Sequence, residues 1–426
     1  MSQMHRPFAT TSLLIGVSFV AHSVSGAEPS KPAASQQRAV TWHDTDRLVL
    51  LGSTFIERAQ RFGYLETALV RHRPNNTIQV RNLGWSGDTV FAESRGIFDP
   101  PAKGYARMLE QVRGLKPTII VLAYGMNESY AGQAGLPRFL KQLGQLIDDL
   151  ASTQAQIVLA SPHRHVPAPA PLPDPAQRNQ NLELYVQALS NYAQKRGFPF
   201  LDLRRALETT QQSSQLKLTE NGIHPNAAGY WNCAELVTGQ LLGLPAQDTT
   251  GQWRVKIDLS QPAPESIGTQ IDQLRFAAGK VQFRAQDTHL PAPRFGSNSR
   301  STRRLQIAGL PAGQYTLKID GQMIAQATSA QLSKSLVISN GPEFTQAEQL
   351  RQTIIDKNMN YFHRWRPQNV TYLFGFRKHE QGQNAKEVAE FDALVAQAEA
   401  RISKLRRPQP HLYEIIGSQS QTPVQP

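Results

Sequence analysis

The apolar positions of the chain fall into two regimes. Between residues 46 and 244, short apolar runs alternate with stretches of helical periodicity. Residues 47–51 form one such run ending on Gly52, and 118–123, 156–160 and 198–202 form three more. Runs of this kind suit strands buried on both faces of a parallel sheet. Helical patterns over 64–70, 139–150 and 182–195 lie between them. The alternation predicts an α/β fold, a parallel sheet with flanking helices, whose ligand site lies at the C-terminal strand ends.

Past a linker at 245–251 the period drops to two. Trp253, Val255, Ile257 and Leu259 alternate with polar neighbours, and residues 305–307 and 315–319 precede an Asp320-Gly321 turn. This predicts a small antiparallel β unit over 252–342. A helical segment follows over 343–406. There Val388, Phe391, Val395, Ala398, Ile402 and Leu405 recur at steps of three and four, forming one apolar stripe that needs a partner surface. Scattered Pro, Gln and Ser predict a disordered tail over 407–426.

At 426 residues with 40% hydrophobic positions, the chain has enough apolar content for a packed core. A single cysteine, Cys233, excludes a disulfide scaffold and a thiolate zinc site. The net charge of +12 is scattered, with short clusters such as Arg303-Arg304 and Arg406-Arg407 and no nucleic-acid motif. No nucleic-acid partner is expected. Arg6, an apolar stretch over 13–21 and the small residues Ser25-Gly26-Ala27 read as a signal peptide over 1–27. Export to the periplasm or the exterior is therefore expected. No later run approaches the roughly 18 apolar residues of a spanning helix, so no transmembrane span is expected.

The chemistry-bearing residues cluster after the predicted strands. Asn82-Leu83-Gly84-Trp85-Ser86-Gly87-Asp88-Thr89, Gly125-Met126-Asn127-Glu128 and Asn221-Gly222-Ile223-His224-Pro225-Asn226 occur in that order. A glycine amide and an asparagine side chain are neutral donors suited to an oxyanion, and a histidine titrates near working pH. The three blocks resemble those of the SGNH/GDSL hydrolase superfamily, over residues 46–244. The resemblance implies a flavodoxin-like parallel sheet of the SGNH type, with Gly84 and Asn127 as oxyanion-hole donors and His224 as general base.

Three positions, in two places, depart from that pattern. The superfamily's Gly-Asp-Ser is Gly52-Ser53-Thr54 here, so Thr54 falls at the nucleophile position and Ser53 replaces the aspartate. Either hydroxyl is a candidate to attack. The aspartate expected three residues before the histidine is Asn221; Glu220, one residue earlier, either reaches His224 or faces solvent. Further candidates for substrate contact are Glu57 and Arg58 after the first block, and Arg364, Arg366, Arg377 and Asn384 in a segment dense in aromatics, guanidinium groups and amides. Such groups suit sugars or carboxylates. The loop His163-Arg164-His165 lacks an accompanying carboxylate, so neither metal nor cofactor is expected. Two functions fit: an exported esterase acting on a small-molecule or carbohydrate acyl (acetyl) ester, and a carbohydrate-binding protein that kept the pocket and lost the triad.

Overall fold

The computed structural model describes residues 39–208, 215–244, 252–261, 263–277, 279–380 and 384–418. The expected signal segment 1–27 and the linker 245–251 lie outside the described residues. Thr45–Gly52 (β1), Thr77–Asn82 (β2), Ile119–Ala123 (β3), Gln156–Ala160 (β4) and Phe200–Leu201 (β5) form an all-parallel sheet in the order β2-β1-β3-β4-β5. The flanking helices are Thr54–Phe62 (α1), Tyr64–His72 (α2), Pro101–Gly114 (α3), Gly132–Asp149 (α4), Ala176–Arg196 (α5) and Ala227–Leu242 (α6).

Alternate side chains of the same strands feed two cores. Ile120 and Leu122 pack with Met108, Leu146 and Tyr185, while Ile119 and Val121 pack with Leu69, Tyr230 and Trp231. Double burial explains why β3 and β4 read as continuous apolar runs. The edge strand β2 carries the sequence Thr-Ile-Gln-Val-Arg-Asn, buried on one face only, and its apolar content is correspondingly thin.

The second unit is a two-sheet sandwich. One sheet holds Gln252–Asp258 (β6), Glu265–Ile267 (β7), Thr302–Ala308 (β10) and Leu336–Ile338 (β13); the other holds Thr269–Ala277 (β8), Lys280–Asp287 (β9), Gln314–Ile319 (β11), Gln322–Thr328 (β12) and a C-terminal strand, Pro410–Gly417 (β14). Pairing is antiparallel except between β6 and β10. The short helix Ser329–Lys334 (α7) links β12 to β13.

The C-terminal strand corrects the disorder expected from residue 407 onward; residues 419–426 lie outside the described residues. Strand β14 sits between β9 and β11, with Tyr413 and Ile415 fully buried in the sandwich core. Its alternating pattern, Leu-Tyr-Glu-Ile-Ile, is short and flanked by Pro and Gln, so it is masked by loop-like neighbours.

Among the described residues between β13 and β14 run the α-helices Pro342–Trp365 (α8), Val370–Leu373 (α9) and Phe391–Leu405 (α10), with a 3-10 helix, Asn384–Glu390, before α10. The stripe residues Val395, Ala398 and Ile402 are buried, and α10 packs on α8. Helix α8 in turn packs on α1, α2 and β2. There the fully buried Lys357 donates to Glu66 Oε1 at 2.7 Å and to the Val80 carbonyl at 3.0 Å, and Asn358 donates to Glu66 Oε2 at 2.9 Å. A second buried hub joins the sandwich to α8: Arg303 donates to Asp287 at 2.5 Å, and to Glu343 and Tyr413 at 2.8 Å each.

Candidate active site

Ser53 and Thr54 open α1 directly after β1. Ser53 has extended backbone (φ −93°, ψ −152°), and its side chain makes no capping bond to its own helix. It is buried, and its Oγ accepts a 2.8 Å hydrogen bond from Asn127 Nδ2. Thr54 is half-buried, and its Oγ1 accepts from the Gly87 amide at 3.1 Å. Asn127 Nδ2 also donates to the Asp88 carbonyl at 2.6 Å. The structure thus brings Ser53-Thr54 together with the Asn82–Thr89 and Gly125–Glu128 blocks, with Thr54 the more accessible hydroxyl.

The expected donor Gly84 is not placed for that role. Its amide is already engaged with Asn82 Oδ1 at 2.9 Å. A Cβ there would lie 2.3 Å from the Glu57 backbone nitrogen, so glycine is needed for the close approach of the loop after β2 to α1. The amide that faces a nucleophile candidate belongs to Gly87, which adopts a positive φ of 76° suited to glycine. Two glycines three positions apart in one motif look alike in the sequence, and only the path of the loop separates them.

His224 lies in the turn before α6, whose cap Asn226 accepts from the Gly229 amide at 3.0 Å. Asn221 Oδ1 accepts from the Ile223 and His224 amides at 3.2 and 2.9 Å. Those two donors fix the amide orientation and turn Nδ2 toward His224 Nδ1, 3.2 Å away. An amide nitrogen only donates. Nδ1 is therefore the acceptor, and the neutral ring carries its proton on Nε2. Among the described residues, neither Ser53 nor Thr54 hydrogen-bonds to His224.

Burial and the nearby Arg58 guanidinium push the His224 pKa below the ordinary histidine range, with Glu220 partly opposing them. Glu220 forms an ion pair with Arg58 rather than a hydrogen bond with His224, and its side chain is 50% exposed. Burial likewise lowers His163 and His165, each to about 4. His163 packs against Phe55, with ring centroids 5.4 Å apart.

Glu57 and the C-terminal arginines occupy other roles than free substrate contacts. Glu57 is buried; its Oε2 accepts from the Ser86 amide at 2.6 Å and from Arg366 at 2.8 Å. Arg364 pairs with Asp392 at 2.9 Å and Arg377 with Glu380 at 2.6 Å, both on the C-terminal segment. The side chain of Asn384 lies outside the described residues. Trp365, Phe374 and Phe376 line a cleft of about 990 Å³ with Phe98, Arg107 and Arg364. Trp365 meets Trp85 edge-on at 5.9 Å, which brings this cleft beside the loop that carries Gly87.

Three further groups organise the strand-end loops, and the local sequence gives each of them only a weak signal. Arg95 is buried and donates to Asp88 Oδ2 at 2.6 Å and to the Leu83 carbonyl at 2.8 Å. Burial raises the Asp88 carboxyl, against the lowering effect of Arg95. Glu128 accepts from the Val90 and Gly125 amides at 2.6 and 2.8 Å, and burial raises its pKa to about 6. Its signal is its place beside Asn127, since a carboxylate next to a donor residue is placed to bind neighbouring amides.

Comparison with known proteins finds chains of similar fold. A gut microbial diltiazem-metabolizing enzyme aligns over 90% of this chain and 100% of its own, with a TM-score of 0.67 at 17% identity. At that identity the likeness establishes a shared fold. An acetylxylan esterase from Geobacillus stearothermophilus aligns over 46% of this chain and 94% of its own (TM-score 0.35, 18% identity). TesA aligns over 47% and 99% (TM-score 0.35, 19% identity). No curated protein sequence matches significantly. Residues 52–231 match the model of the GDSL-like lipase/acylhydrolase family, and that segment, with its parallel sheet and strand-end blocks, is a GDSL-like lipase/acylhydrolase domain.

Proposed function

We propose that the protein is an exported ester hydrolase of low turnover acting on acyl esters, acetyl esters of carbohydrate foremost. The observation that carries the reading is the pairing of Thr54 Oγ1 with the Gly87 amide at the first turn of α1. Thr54 Oγ1 attacks the ester carbonyl, and its proton passes to His224 Nε2. The oxyanion that develops on the carbonyl oxygen is held by the Gly87 amide, released from Thr54 Oγ1 as that oxygen attacks, and by Asn127 Nδ2 once it exchanges its bond to Ser53 Oγ for the substrate. Collapse expels the alcohol with the proton from His224, and water then releases the acyl group by the same route in reverse.

Turnover is low because the ring rests in the wrong tautomer. Nε2 accepts a proton only after the Nε2 proton has left, and the tautomer with Nδ1–H points that hydrogen at the Asn221 amide hydrogens. Arg58 further disfavours imidazolium. The carbohydrate preference draws on the aromatic and guanidinium lining of the cleft beside Trp85, since aromatic faces stack on sugar rings. Export rests on the sequence pattern over residues 1–27; N-terminal sequencing of the secreted or periplasmic form is expected to begin at Glu28, and recovery of only the Met1 form would contradict it.

The Asn221–His224 bond favours a second reading, a protein that binds such esters without cleaving them. Acetate release from acetylated oligosaccharides, measured beside Thr54→Ala and paired with calorimetry on the same sugars, separates the two. Release above the Thr54→Ala rate supports hydrolysis. Binding with equal background release leaves the second reading, and neither binding nor release removes the carbohydrate assignment.

A further inference from the structure

The loop that carries Gly87 is held by a residue from the far end of the chain. Its Ser86 amide donates to Glu57 Oε2, and Arg366, at the C-cap of α8, donates to that same oxygen. The Arg366 guanidinium carbon also lies 3.5 Å from the centroid of the Trp85 ring, which Arg95 approaches at 5.6 Å. Trp85, Ser86 and Gly87 are consecutive. One guanidinium therefore neutralises the carboxylate that anchors Ser86 and stacks on the indole that precedes it.

We propose that Arg366 is a positioning residue for the Gly87 amide, so that the C-terminal segment completes the ester site rather than merely covering the hydrolase domain. The proposal rests on the assignment of Gly87 as an oxyanion donor. Glu57 is buried, and without Arg366 its carboxylate keeps, among the described residues, only the Ser86 amide as a hydrogen-bond donor. A buried carboxylate stripped of its cation is unfavourable and draws in water or a proton. Either change loosens the Ser86 anchor one residue from Gly87. Loss of the stacked guanidinium also frees Trp85 on one face.

Docking of the C-terminal segment is provided elsewhere. Arg351 donates to the Phe62 carbonyl at 2.8 Å and lies over Tyr64, while Lys357 and Asn358 hold Glu66. These groups grip α1 and α2 at their junction and in the first turn of α2. Arg366 grips the loop over 85–88 and its anchor, and this separates a positioning role from a docking one.

The test is amide hydrogen exchange on the full mature chain for wild type, Arg366→Ala, Arg366→Lys and Arg351→Ala, with kcat and KM on p-nitrophenyl acetate for each. In Arg366→Ala, exchange at Ser86 and Gly87 is expected to rise ~10-fold or more, because the opening of this loop becomes easier. Its kcat is expected to fall ~10- to 100-fold with KM nearly unchanged, as for loss of a group that orients an oxyanion donor. Arg366→Lys keeps the charge and loses the stack, so its values should fall between the two. Arg351→Ala should lower the melting temperature while leaving exchange over 85–88 as in wild type. Unchanged loop exchange in Arg366→Ala, or an equal rise in Arg351→Ala, would overturn the proposal. So would raised exchange with an undiminished kcat. Should wild type show no hydrolysis above Thr54→Ala, the esterase reading fails, and exchange alone still decides whether Arg366 holds the loop.

Discussion

Replacing Asn221 by aspartate tests the tautomer argument at its root. The new carboxylate keeps one oxygen where Asn221 Oδ1 receives the Ile223 and His224 amides, so the turn before α6 retains its hydrogen bonds. Its second oxygen then faces His224 Nδ1 in place of the amide nitrogen now 3.2 Å away. A carboxylate accepts from Nδ1–H, moves the proton off Nε2 and stabilises imidazolium during attack. The reverse change in a serine protease costs about four orders of magnitude in turnover, roughly 5.5 kcal/mol. Arg58 still opposes imidazolium here and the β-methyl of Thr54 still crowds the attack, so the full effect will not be regained. We expect a gain of ~10²- to 10³-fold in kcat/KM, about 3–4 kcal/mol of transition-state stabilisation.

The pH profile gives a second readout of the same change. The base works when neutral, and the new carboxylate raises the His224 pKa. The acid limb of kcat/KM should accordingly move to higher pH in Asn221→Asp. The assay is initial-rate hydrolysis of p-nitrophenyl acetate, with Asn221→Asp/Thr54→Ala as the control. The reasoning is refuted if Asn221→Asp folds with an unchanged melting temperature, shows Nδ1–H by nitrogen NMR, and still hydrolyses no faster than wild type.

Arg58→Gln should raise the His224 pKa, because the guanidinium now lowers it, and Glu220→Gln should lower it further; imidazole NMR titration reads both, and no movement in either would contradict the assignment. Lys357→Ala strands the buried Glu66 carboxylate and should destabilise the protein by about 3–5 kcal/mol in denaturant melts, whereas a loss below about 1 kcal/mol would show that α8 is not anchored there. His163 has its pKa lowered to about 4 in the fold, so its neutral state contributes stability that is full above pH 6.5 and lost on acidification toward 4, about 3 kcal/mol in all; His163→Gln should flatten that part of the stability curve, and an unaltered slope would refute the shift.

How far the sequence reveals this protein depends on where each signal is written. Strands β3 and β4 are plain because burial on both faces demands apolar residues at every position. Strand β2 is hard to see, since an edge strand buried on one face spends half its residues on solvent. The tail strand β14 is eight residues long, and its meaning comes only from β9 and β11, whose facing edges it fills. In the site, Thr54, Asn127 and His224 stand out because each sits in a short local block. The direction of the Asn221 amide does not, because two backbone amides of the folded turn determine it. Glu57 and Arg366 are conspicuous in the sequence yet read there as substrate contacts, for they lie 309 positions apart and only the docking of α8 brings them together.

The account stands most directly on attack by Thr54, and mass spectrometry reads that step. The mature protein, mixed with p-nitrophenyl acetate and quenched over a time course, is digested and mapped beside Ser53→Ala and Thr54→Ala. Acetylation of the peptide that carries Ser53-Thr54 is predicted in wild type and in Ser53→Ala, and its loss in Thr54→Ala. An unmodified peptide at every time point in wild type, or acetylation that survives Thr54→Ala, would contradict it.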